Sequence, residues 1–68
     1  MKYIFHERFS ELINQSDLTY EQIAQRLGLK SKSTISKYAS GQIQNIGPTM
    51  IDKIATLFNV SPIWLLGY

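Results

Sequence analysis

Lys32, Ser33, Ser36, Lys37 and Ser40 fall together in one short stretch, SKSTISKYASG over residues 31–41. Their chemistry is recognition rather than bond-making. A serine hydroxyl both donates and accepts hydrogen bonds, and a lysine ammonium donates while carrying charge. Together they suit a surface that offers hydrogen-bonding edges beside negative charge, and the edges and phosphates of nucleic acid are such a surface.

For these groups to act together they must share a face. Read as a helix at about 100° per residue with Lys32 at zero, Ser36, Ser40, Ser33 and Lys37 lie within an arc of roughly 140°. Ile35 and Tyr38 fall on the opposite side as anchors, and Ala39 sits at the border. Serine and threonine are mediocre helix formers because their hydroxyls compete for backbone groups, so this composition sacrifices local helical stability. The gain is an outer face of lysine and serine alone, with no acid to repel a phosphate and no bulk to hold the helix away from a major groove.

Charge supports the same partner. The net charge of +2 is small. Between Gln22 and Ile51, however, stand Arg26, Lys30, Lys32 and Lys37 with no Asp or Glu, while Glu7, Glu11, Asp17, Glu21 and Asp52 lie outside. A one-signed patch attracts polyanions, and nucleic acid is the commonest in a cell. Other classes find little support. The lone histidine, His6, sits on the first helix beside Glu7 and Arg8 as a surface residue would, which gives little support to a nucleophile–base pair. One histidine without cysteine makes no closed metal site, and Gly28, Gly41, Gly47 and Gly67 are isolated rather than clustered into a phosphate loop. The residues thus argue against an enzyme and imply no cofactor. No apolar run approaches a membrane span, the N-terminus lacks a secretory core, and cysteine is absent, which makes a cytoplasmic location the default.

The 68 residues read as one all-α domain, a bundle of five short helices. Ile4, Phe5, Phe9, Leu12 and Ile13 predict a first helix from about Tyr3 to Asn14, with Phe5 and Phe9 in the core. Thr19 with Gln22 predicts a capping box for the second, which Gly28 ends. Ser31 is the expected N-cap of the third and Gly41 its stop. GQIQNIGP is a loop anchored by Ile43 or Ile46. A fourth helix from Thr49, with Asp52 near its positive end, runs through Leu57 and Phe58, both expected in the core, to Asn59. SPIWLLG predicts a one-turn fifth helix with Ser61 as N-cap and Pro62 first inside.

LTYEQIAQRLGL, then STISKYASG, then PTMIDKIATLFNVS resembles the helix-turn-helix domain of the lambda-repressor and Cro-like family, and SPIWLLG looks most like Gram-positive bacterial and phage repressors of that type. The resemblance covers about Leu18 to Gly67, with the motif itself at about 20–40, and rests on Ala24, Gly28, Ile35 and Tyr38. It implies a sequence-specific, operator-binding repressor of double-stranded DNA whose recognition helix, about 32–40, enters the major groove. Lys32, Ser33 and Lys37 correspond to base-reading positions, and Ser36 joins them on the outer face. Tyr20 and Ser40 correspond to backbone-contacting positions; Lys30, Ser31 and Gln42 complete the set expected at phosphates. The segment after Gly28 is one residue longer than the family pattern, with Lys30 as the extra residue. Anchored on Ile35, the correspondence leaves Ser31, Lys32 and Ser33 open to a shift of one, whereas Ser36 and Lys37 hold.

The alternative use of such a fold is an antitoxin-like or adaptor module that grips protein. Protein hot spots favour Trp, Tyr and Arg, and the outer face has none. At the other end, Ile63, Trp64, Leu65 and Leu66 are consecutive and cannot all face one core. Ile63, Trp64 and Leu65 are therefore expected to support a weak homodimer on two half-sites, or packing against a further C-terminal oligomerisation domain, with Trp64 the leading contributor.

Overall fold

The computed structural model describes residues 4–67. Among them the chain forms α1 (Phe5–Gln15), α2 (Tyr20–Arg26), α3 (Lys32–Ser40), α4 (Pro48–Phe58) and α5 (Pro62–Leu66), with no strand, so the fold is all-α. Phe5, Phe9 and Ile13 recur every four residues and give α1 its buried stripe. The helix runs one residue beyond the expected Asn14, where the Ser16 hydroxyl donates to the Ile13 carbonyl at 3.0 Å. Tyr3, the expected start, lies outside the described residues.

α2 closes at both ends by local chemistry. The Gln22 amide donates to Thr19 Oγ1 at 3.1 Å, and the Thr19 amide donates to Gln22 Oε1 at 2.9 Å, completing the capping box. At the far end Gly28 adopts φ +78°, which lets the Leu29 amide reach back to the Ala24 carbonyl at 2.8 Å and the Gly28 amide to Gln25 at 3.1 Å. This Schellman closure satisfies orphan carbonyls and turns the chain toward α3. α3 begins with Ser31 as N-cap, its Oγ accepting from the Ser33 amide at 3.2 Å, and ends at Gly41 in the left-handed conformation.

α4 starts one residue earlier than expected, with Gly47 as N-cap and Pro48 as its first residue. Proline is suited to that position because it has no amide to leave unpaired and its φ is already helical. Asp52 consequently falls outside the first turn, where the helix dipole fades. Asn59 closes α4 at φ +57°, and Ser61, Pro62 and Gly67 bound α5 as expected. Of the loop isoleucines, both are half-buried and Ile46 packs against the core.

The core draws on every helix. Phe9 is fully buried at its centre, stacked on Phe5 at 5.4 Å and met by the rings of Phe58 at 6.2 Å and Tyr38 at 6.5 Å. Leu57 and Phe58 are half-buried rather than interior, and pack on its rim. Leu65 differs from its expected role: it is fully buried, leaving Ile63 and Leu66 as the exposed apolar residues of α5. Trp64 is half-buried, packed against the core and met on its ring by Arg8. The guanidinium carbon lies 4.6 Å from the ring centroid and Nη1 donates to the Trp64 carbonyl, tying α1 to α5. His6 also departs from the surface position expected of it. Its ring is half-buried over Gly41, where a Cβ would meet it at 3.2 Å.

Candidate nucleic-acid interface

The helix-turn-helix geometry follows from two local decisions already described: the closure at Gly28 and the cap at Ser31. Ile23, Ala24 and Leu27 on one side and Ile35 and Ala39 on the other are buried in the common core, so α2 and α3 pack through apolar faces and present polar ones. α3 is further held by α1, because the Ser10 hydroxyl donates across to the Ala39 carbonyl at 2.9 Å. That carbonyl belongs to the last turn and has no partner within the helix ladder.

Outward, Lys32, Ser33, Ser36, Lys37 and Ser40 are all exposed, whereas Ile35 and Ala39 are buried and Tyr38 half-buried. The wheel drawn from the sequence therefore has the right rotation, with Ala39 turning inward at the border. The first two turns of α3 and the start of α2 line one open cleft of about 480 Å³, formed by Thr19, Tyr20, Glu21, Lys32, Ser33 and Ser36. Tyr20, one of the residues lining that cleft, is 40% exposed.

Some hydroxyls are already engaged. Ser31 and Ser33 lie with their Oγ atoms 2.7 Å apart, so one of the two protons is shared between them. Ser40 donates to the Lys37 carbonyl at 3.2 Å, leaving its lone pairs outward. Against a phosphate, which only accepts, Ser40 must first turn its hydroxyl away; being exposed, it can do so cheaply. Lys30, Ser31 and Gln42 are exposed in the turns flanking α3.

Two charges are not where the sequence order suggested. Arg26, counted with the basic stretch, faces a separate groove of about 600 Å³ with Thr49, Asp52, Lys53, Thr56 and Leu57. Glu21, outside the acid-free stretch, lines the same cleft as Lys32. Sequence reasoning missed Glu21, because nothing local marks which residues of α2 come to line a cleft with α3.

Among the described residues no helix is long and apolar enough to cross a membrane. Neither the curated proteins nor the solved structures yield a significant match to the chain. A family model described as helix-turn-helix, HTH_3, matches residues 10–65, which spans α2, the turn, α3 and α4 entire, together with most of α1 and α5. With that match over most of its length, and with α2 and α3 joined by the turn at Gly28, the chain belongs to the lambda-repressor and Cro-like helix-turn-helix family of DNA-binding domains.

Proposed function

We propose that this protein is a sequence-specific repressor that binds a double-stranded operator, with α3 in the major groove and the 68 residues acting as one DNA-binding unit in the cytoplasm of a bacterial or phage-infected cell. The observation that carries this reading is the outer face of α3, which is exposed, cationic and free of apolar anchors, and opens into a cleft shared with the start of α2. Lys32, Ser33, Ser36 and Lys37 meet base edges; Tyr20, Lys30, Ser31, Ser40 and Gln42 meet the backbone. An operator overlapping a promoter is blocked by occupancy alone, so repression asks for no further site on this chain.

The lysines separate the two kinds of contact. Lys37 stands on the face of α3, whereas Lys30 stands in the turn before it. Lys37→Ala should weaken operator binding by roughly 1 to 3 kcal/mol and relax preference at one base pair. Lys30→Ala should weaken operator and random duplex by similar factors and reduce the salt slope by about one. Gel shifts of both variants on a selected operator and on scrambled duplex across a salt series decide the matter. Equal losses for Lys37→Ala on the two duplexes would remove it from base reading, and a parent chain that retards no fragment selectively would return the fold to a protein-gripping role.

A second copy completes the operator complex. Ile63, 63% exposed, and Leu66, 43% exposed, project from α5, and a two-fold dimer would set two α3 helices about 34–36 Å apart on successive half-sites. Trp64 contributes its uncovered edge, since Arg8 occupies part of its surface. Ile63→Glu is expected to leave the melting temperature unchanged while removing the concentration dependence of operator binding and lowering affinity about tenfold or more. Sedimentation and binding isotherms provide the check; unaltered cooperativity would show that α5 is not the contact.

A further inference from the structure

Glu21 reaches the interface through folding alone. It is the second residue of α2, it is exposed, and among the described residues it is the one acid lining the cleft it shares with Lys32, Ser33 and Ser36. Closing the helix does not require it, because Thr19 and Gln22 cap the N-terminus reciprocally. A carboxylate is an acceptor with negative charge. Laid against a duplex, it is repelled by phosphates and by the acceptor atoms of guanine and thymine. It is welcomed by the exocyclic amino groups of cytosine and adenine. Lys32 in the same cleft has the opposite requirement, and guanine offers two acceptors side by side in the major groove.

A G·C pair satisfies both, presenting guanine acceptors next to the cytosine N4 amino group. We propose that Glu21 is a specificity filter: it lowers affinity for every duplex by repulsion, and recovers the loss where the cleft meets the cytosine of a G·C pair whose guanine faces Lys32. Discrimination of this kind comes from an element that penalises the wrong partner as well as one that rewards the right one. The inference rests on the DNA-binding reading above and adds a residue and a base pair to it.

The test is Glu21→Gln, which keeps the shape and removes the charge. Sites are selected from a random duplex pool with the parent and with the variant, and affinities for the parent operator and for scrambled duplex are then measured at fixed salt. Expected is a several-fold tighter grip on scrambled duplex and a ratio of operator to scrambled affinity that falls about tenfold. One position of the selected site should lose its demand for G·C. An equal rise on both duplexes would overturn the filter, leaving Glu21 as a charge near the backbone. Unchanged binding with a lower melting temperature would overturn it too, leaving a first-turn acid that steadies α2. Should the parent select no site at all, the failure belongs to the DNA-binding reading, and it shows before any variant is made.

Discussion

Ser36→Glu is expected to abolish operator binding, by a hundredfold or more, in a protein that melts like the parent. Ser36 is exposed on α3 and lines the cleft between the two helix starts, so the fold has no stake in its side chain. Exposed substitutions away from caps and cores change stability by only about 0.5 kcal/mol either way. At the interface the same change adds bulk where the smallest polar side chain gives clearance, and a negative charge where a duplex brings its phosphates. A like-charge pair at 4 Å costs about 1 kcal/mol in bulk water and about 4 kcal/mol near a protein surface, and a groove places more than one phosphate within range. Affinity by gel shift and melting by circular dichroism, taken on the same preparation, give both halves. Normal operator binding by this variant would take the face out of the groove.

Ile35→Ala should produce the opposite separation, losing the fold first. Ile35 is fully buried in the core cluster and holds α3 from its inner side. Emptying such a site costs roughly 2 to 5 kcal/mol. A chain of this length has only about 3 to 10 kcal/mol of total stability, at the usual margin per residue. The variant is therefore expected to be partly or largely unfolded at room temperature, with a clear fall in denaturant midpoint. Excess operator should rescue it partially by mass action, because DNA binds the folded state alone. A parent-like melt would mean that the helix is rotated and that the serines, not the isoleucine, face inward.

Local chemistry made the helix boundaries legible. The capping box at Thr19, the cap at Ser31, the left-handed stops at Gly28, Gly41 and Gly67, and Pro62 inside α5 each act within a few residues, and a sequence displays them directly. The rotation of α3 was legible for a related reason. Helical period and side-chain polarity together assign Ile35 and Tyr38 to one side and the lysines and serines to the other. Where local signals compete, boundaries moved: Pro48 both ends a loop and opens a helix, and α4 took it as its first residue.

What the sequence by itself determined is thus the set of helices, the inner and outer faces of α3, and membership of a helix-turn-helix family. These depend on interactions between near neighbours and on the balance of apolar and polar groups along each turn. Only the tertiary structure decided which residues meet across helices. It turned Leu65 into the core and left Ile63 and Leu66 outside, because one turn of helix can bury a single side and the core fixes which. It laid Arg8 over Trp64 and His6 over Gly41, contacts between residues far apart in the chain. It drew Arg26 into another groove and brought Glu21 into the cleft that Lys32 lines, so that an outer face composed of lysine and serine acquired an acid at its border. Charge order along a chain cannot report such neighbours, since the packing angle of α2 on α3 is set by the buried surfaces between them.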